Sequence, residues 1–224
     1  MNYFRLQKLK TRVAGLKARF KYSAPWMFLL SLSIVLLLPS CVTKPPQEMD
    51  NLCSIFFEKR GWYKSAKKAE DRWGSPIPVL MAFVHQESRY TAKAKPPRRK
   101  ILWVIPGPRL STAYGYSQAK QSTWDWYRDK TGNRGADRDD FADAVDFIGW
   151  YNAQSAKTNG IALNDAYRLY LAYHEGHGGY SRRTYDDKAW LKNTANKVAS
   201  LSNRYSTQLT GCQKKLEKSG WWPF

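Results

Sequence analysis

Among the residues able to do chemistry, Glu87 has the most suggestive setting. It closes the apolar run "VLMAFVHQESRY", residues 79 to 90. Leu80, Val84 and Glu87 are spaced i, i+4, i+7 and so share one face of a helix. If that face packs inward, Glu87 sits where the helix leaves the core and a cleft can open. Desolvation would then disfavour its carboxylate, and the partial negative charge of the helix C-terminus would add to the effect. A carboxyl raised to about 6 can hold a proton near neutral pH and hand it to a leaving oxygen. If the helix instead ends one turn earlier, Glu87 is an ordinary solvated acid. Spacing alone leaves both readings open.

The elements that must position this carboxyl are mostly helical. "NLCSIFFEKRGWYKSAKKAEDRWG" reads as helix with a break at Gly61. Ser75 followed by Pro76 is a good start for the helix that carries Glu87. Residues 93 to 113 hold "KPPRRK" and "IPGP" and lack helical periodicity, which predicts a long loop or a small hairpin. "SQAKQSTWDWYRDKTG" predicts a short helix ending at Gly132. Phe141, Val145, Ile148 and Tyr151 follow helical spacing, with acids in the first turn and Gly160 beyond the end. Asn164 or Asp165 caps a further helix that stops at Gly176. The last helix sets Leu191, Thr194, Val198, Leu201 and Tyr205 on one side. No internal repeat is present, and the fold class is mostly α.

The N-terminus carries an address. The chain has 224 residues, a net charge of +19 and three cysteines. Residues 1–40 contain seven basic and no acidic side chains. Trp26 to Leu38 form an apolar core shorter than the about 20 residues of a comfortable membrane span. It ends in Leu38-Pro39-Ser40-Cys41, which resembles a bacterial lipobox with Cys41 as the lipidated residue. The alternative is an uncleaved membrane anchor. Residues 1–40 are thus expected to be a lipoprotein signal peptide, 41–50 a tether with a Pro-Pro stiffener, and 51–224 a single domain. Cleavage leaves 30 basic against 18 acidic residues, a net charge of +12. That charge fits a polyanionic partner. On the outer face of a bacterial inner membrane or on the outer membrane, the address favours lipid headgroups or carboxylate-bearing cell wall over nucleic acid. Cys53 and Cys212, one near each end of the domain, are expected to form a disulfide in that oxidising compartment rather than stay two buried thiols. Closing a loop of roughly 160 residues contributes at most about 5 kcal/mol in the chain-entropy model.

Other clusters invite weaker readings. His174, Glu175 and His177 lack the spacing of a metalloprotease helix and have no Cys or Asp nearby in sequence, so no metal site is expected. Glu175 could serve instead as a second carboxylate for hydrolysis. The acids of "DRDDFADAVDF" lack the glycine a calcium loop needs and are better read as helix caps. No cofactor is implied. Lys93, Lys95, Arg98, Arg99, Lys100 and Arg109 surround "ILWVIP". They are either solvated surface or a cleft wall lined by Trp103 and the cations.

Three fragments in order settle the reading of Glu87. "HQESRYTAKA" resembles the Glu-Ser motif of lytic transglycosylases of the soluble-lytic type, which have a lysozyme-like fold. "AYGYSQ" is similar to that family's Gly-Leu-Met-Gln motif, with Gly115 and Gln118 at the matching ends. "AYHEG" is similar to its Ala-Tyr-Asn-Ala-Gly motif, with Ala172, Tyr173 and Gly176 matching. The resemblance spans about residues 75 to 205. It implies cleavage of the β-1,4 bond between N-acetylmuramic acid and N-acetylglucosamine in peptidoglycan strands, with a 1,6-anhydromuramyl product. One carboxyl acts as acid and then base, where ordinary glycosidases use two. Carried over, Glu87 is that group and Ser88 supports it. Gln118 binds substrate, and Tyr173 orients the Glu or a sugar, with Gly115, Tyr116 and His174 completing the motifs.

The departures are specific. Tyr116-Ser117 replaces Leu-Met, His174 replaces Asn, and the stretch between Glu87 and Gly115 is longer than in the commoner members. These mark a divergent lipoprotein subgroup. "WYNAQ", Trp150 to Gln154, also resembles the tyrosine-asparagine motif but reads better as structural, with Tyr151 or Asn152 as the alternative site residue. A lysozyme-like hydrolase and a non-catalytic wall-binding lipoprotein are the alternatives. The oligomeric state is not legible.

Overall fold

The computed structural model describes residues 43–101 and 105–219. The expected signal peptide, Cys41 and Trp103 lie outside the described residues. Ten elements follow in chain order. They are α1 (Leu52–Glu58), α2 (Arg60–Trp73), α3 (Ile77–Ser88), β1 (Arg98–Ile101), β2 (Ile105–Arg109), α4 (Gln121–Thr131), α5 (Phe141–Asn159), α6 (Ala166–Glu175), α7 (His177–Ser181) and α8 (Ala189–Ser219). The domain is mostly helical, as expected. Among the described residues no helix is long and apolar enough to cross a membrane.

Helix α3 is the axis of the core. Ile77 through Val84 are all buried, so the helix is apolar all round for its first two turns rather than along one stripe. Long α8 packs along one side of α3, and α5 and α2 pack on others. Only the last turn of α3, with His85, Gln86 and Glu87, emerges from full burial. Arg89 ends the helix in the left-handed region at φ 48°, and Tyr90 follows at φ 59°. Two successive left-handed residues without glycine are costly, and a buried anchor holds them. The Tyr90 hydroxyl donates to the Met81 carbonyl at 3.1 Å and lies 3.1 Å from the Tyr205 hydroxyl of α8.

The start of α3 differs from the sequence reading. Pro76, not Ser75, occupies the cap position and makes no side-chain cap bond. The Glu70 carboxylate of α2 reaches across instead and accepts from the Ile77 N–H at 2.9 Å. Ser75 is fully buried, and its hydroxyl accepts from the Asn152 amide of α5 at 2.9 Å. Ser75 thus joins two helices and is unavailable as a cap. The break expected at Gly61 falls two residues earlier, at Lys59, whose backbone leaves the helical region. Gly61 sits in the first turn of α2, where its N–H needs no helical partner.

The remaining helices are closed by their own side chains. Asp140 caps α5 by accepting from Asp143 N–H, and Asp165 rather than Asn164 caps α6. Asp146 of α5 ties three elements together. It accepts from Trp73 Nε1 at 2.9 Å and Tyr127 Oη at 2.8 Å, and pairs with Arg72 at 3.2 Å. Gly149 lets α2 and α5 approach closely, since a Cβ there would stand 2.9 Å from Trp73. On α8 the buried face runs through Leu191, Ala195, Val198, Leu201 and Tyr205. Thr194 falls outside it, its hydroxyl donating to the Trp190 carbonyl at 2.9 Å.

The two ends of the domain meet. Cys53 of α1 and Cys212 of α8 are disulfide-bonded, with Cα atoms 6.0 Å apart. Beside them Gln208 accepts from Leu52 N–H at 2.8 Å and donates to the Asp50 carbonyl at 3.0 Å. The segment between α3 and α4 is the hairpin of the two readings offered. β1 and β2 pair antiparallel, Arg98 opposite Arg109 and Ile101 opposite Ile105.

Candidate active site

A cleft of about 370 Å³ opens at the C-terminal end of α3. Glu87 lines it together with Gln118, Tyr151, Tyr173, His174 and Glu175. Four separate stretches therefore meet there: the end of α3, the turn before α4, the middle of α5 and the end of α6.

Burial raises the Glu87 carboxyl to about 7, and a hydrogen bond from the Tyr170 hydroxyl pulls the other way. At neutral pH the group is then divided between acid and carboxylate. Tyr170 itself is pushed far up by burial and by the neighbouring Glu87, so it remains a neutral donor. Tyr170 and Tyr173 lie three residues apart on α6 and share a face. Each meets Phe83 of α3 edge-on, with ring centroids 5.4 and 5.3 Å away.

Tyr173 lines the cleft beside Glu87 without bonding to it. Its hydroxyl donates to the Ser117 carbonyl at 2.6 Å, so it holds the neighbouring turn and leaves Glu87 to Tyr170. That turn, residues 113–119, is tied to two neighbouring segments and closed on itself. Gly115 N–H donates to the Ala94 carbonyl at 3.0 Å, Tyr116 N–H donates to the Arg138 carbonyl at 3.0 Å, and Tyr114 bridges Ala119. Gly115 has φ 79°, and a Cβ there would lie 1.9 Å from the Arg138 carbonyl oxygen. Only glycine fits.

Gln118 uses its amide hydrogens inward, on the carbonyls of Ala94 at 3.0 Å and Gly115 at 2.9 Å. That fixes the amide orientation, and among the described residues its oxygen carries no hydrogen bond at the cleft that Gln118 lines. Tyr116 does not reach the site. It is buried edge-on against Trp62 and Phe141, with its hydroxyl pushed up to about 12 by burial. The large ring fills core space behind the turn. Ser88 also stays off the carboxyl. It is buried and donates to the Val84 carbonyl at 3.1 Å, finishing the last turn of α3.

Glu175 lines the same cleft in an opposite state. Burial acts to raise it, but hydrogen bonds from Lys188, Thr184 and His174 prevail and hold it down to about 2. Both its oxygens lie 2.8 Å from the Lys188 ammonium. His174 pairs with it at 3.1 Å and meets the exposed Trp190 edge-on. His177 is engaged elsewhere, stacked on Tyr151 and bonded to Ser155 at 3.1 Å. Among the described residues no three His, Cys, Asp or Glu side chains form a metal-holding group.

One participant lies outside the three motifs: Tyr170, whose i−3 relation to Tyr173 places it on the site face. Tyr151 belongs to the stretch that reads better as structural but leaves Tyr151 and Asn152 open. It lines the cleft, while its neighbour Asn152 is buried against Ser75.

A carboxyl raised to about 7 and facing a groove in a helical domain is suited to protonating a glycosidic oxygen. Residues 29–212 match the family model described as Transglycosylase SLT domain. The chain belongs to that family of peptidoglycan lytic transglycosylases with a lysozyme-like fold. Neither the curated proteins nor the solved structures contain a match.

Proposed function

We propose that Glu87 is the sole acid–base group of the reaction, cutting the β-1,4 bond that follows N-acetylmuramic acid and leaving a 1,6-anhydromuramyl end. The protonated carboxyl gives its proton to the bridging oxygen as the bond from the sugar's C1 breaks. The resulting carboxylate then takes the proton of the same sugar's 6-hydroxyl while that oxygen bonds to C1. Glu87 returns to its acid form, and no water is consumed. A pKa of about 7 supports both halves of this cycle, since neither protonation state is strongly favoured. Tyr170 donates to the carboxylate formed midway. Gln118 accepts from a substrate O–H or N–H.

The observation that carries this reading is the contrast between the two cleft carboxyls. Among the described residues Glu175 is the only other acid lining the cleft, and it is locked as an ion by Lys188, Thr184 and His174. A hydrolase needs a second carboxylate free to activate water, and Glu175's oxygens are already engaged. Product analysis on purified wall separates the cases. Anhydro ends support transglycosylation, reducing ends a hydrolase, and intact wall a binding protein.

We also propose that the chain is exported and lipid-anchored through Cys41 on the periplasmic side, at the outer membrane. The basic region, the short apolar core and the lipobox-like ending support this, and the Cys53–Cys212 bond suits an oxidising compartment. Metabolic labelling with a fatty acid tests it: label must enter the wild-type chain and be lost with Cys41→Ser.

A further inference from the structure

Beside the cleft lies a second concavity of about 320 Å³, lined by Lys95, Arg109, Ser111, Thr112, Tyr114 and Arg138, and by Ala113. Ala113 also lines the Glu87 cleft, so the two hollows adjoin. Its charge is unbalanced. Among the described residues, none of its three cations forms an ion pair with a carboxylate.

Each cation is held so that donors remain. The Lys95 ammonium stands 5.3 Å from the Tyr114 ring centre. Arg109 donates one N–H to the Pro96 carbonyl at 2.6 Å, which ties β2 to the chain before β1. Arg138 is the rigid member. Its guanidinium donates to the carbonyls of Thr112 at 2.8 Å and Ala119 at 2.9 Å and to Gln121 Oε1 at 2.7 Å. Two of its five N–H groups are left. It lies 5.2 Å from the same Tyr114 ring centre. Asp125 and Asp139 act on Arg138 through charge without pairing with it, and Asp139 accepts from the Tyr114 hydroxyl at 3.1 Å. Three converging cations around an aromatic floor, next to Ser111 and Thr112 hydroxyls, form a receptor for a small planar anion.

We infer that this concavity binds a carboxylate of the peptide that hangs from the muramyl lactyl group. The enzyme would then select strands whose stem peptides are still attached. This rests on the reading of the cleft as one that cuts peptidoglycan. A glycan chain in the cleft carries its anions only on these side arms, and the concavity shares Ala113 with the cleft that would hold the sugars. The β1–β2 hairpin supplies Arg109, and its stem residue Lys95 completes the set. The hairpin thus becomes a specificity element inserted between two active-site motifs.

The test compares kcat/KM of the full chain on three preparations of strands: with stem peptides, with their carboxylates amidated, and with the stems removed by an amidase. The ratio of the first to either of the others is expected to be about tenfold, the size of a charge-assisted contact. In Lys95→Gln with Arg109→Gln that ratio falls toward one, and raised salt erodes it in the wild type. Should the double variant fold poorly, Lys95→Gln alone carries the test, since that exposed ammonium makes no hydrogen bond. A ratio near one in the wild type, or one unmoved by the variants, overturns the inference. Direct titration of free stem peptide, its amide and inorganic phosphate supplies a readout without catalysis. The carboxylate form must bind tightest, and phosphate binding more tightly than the peptide would overturn the assignment. If no strand is cut at all, the cleft reading fails, and the peptide titration still decides this one.

Discussion

At the scale of single residues, the account turns on one carboxyl whose environment favours its neutral form. Burial raises Glu87 from 4.5 to about 7, so the unfolded chain ionises before the folded one as pH climbs. The native state therefore loses stability between about pH 4.5 and 7 and carries the full deficit above 7, about 3 kcal/mol. Glu87→Gln removes that deficit. The variant should gain melting temperature over the wild type, more at pH 8 than at pH 5, while cleavage falls by on the order of 10²- to 10⁴-fold or more. Loss of thermal stability at pH 8 would contradict the burial argument, and retention of a third of the activity the catalytic one. Tyr170→Phe deletes the one bond that lowers the Glu87 pKa, so the alkaline fall of the rate should move to higher pH as the maximum drops. An unmoved pH profile would leave Tyr170 a packing residue. Glu87 was legible because its helical spacing and the Glu-Ser fragment agreed. Tyr170 was not, because a tyrosine at helical spacing in an apolar segment has the pattern of core. Tyr116 shows that a motif position can also be the peg that seats its own turn.

Elements explain what isolated motifs could not. The helices were visible in their periodicity and glycine stops, because Gly74, Gly132 and Gly160 each take the left-handed cap that glycine adopts freely. Their starts were less visible, since Glu70 caps the neighbouring α3 from across a turn. Local sequence favours Ser75 as a cap, and only the packing of α5 shows that Asn152 has claimed it. The turn at 113–119 is the element on which the site most depends. A methyl group at Gly115 meets the Arg138 carbonyl and must also adopt φ 79°. Gly115→Ala should lower stability by at least about 2 kcal/mol and displace Gln118. Chemical denaturation checks the first, and a raised KM in whatever fraction folds checks the second. A variant melting within a degree of the wild type would mean that the turn relaxes and does not hold the site.

For the whole molecule, the long-range tie between the two ends was readable from cysteine arithmetic and address. The hairpin's contribution of a cationic hollow was not, because it depends on Arg138, 29 positions beyond Arg109 in the sequence. The Cys53–Cys212 bond closes a loop with a sequence separation of 159. Its reduction should cost about 3–5 kcal/mol, read as a drop in the denaturation midpoint. Neither sulfur approaches the cleft, so product identity should not change under reduction, and a switch in products would show that the distant clasp shapes the site. The central claim is tested most directly by digesting purified sacculi with the full chain and weighing the released muropeptides by mass spectrometry. The account predicts muramyl ends 18 Da lighter than reducing ends, the mass of the water not added, and their loss with Glu87→Gln. Reducing ends from the wild type, or anhydro ends persisting in Glu87→Gln, would contradict it.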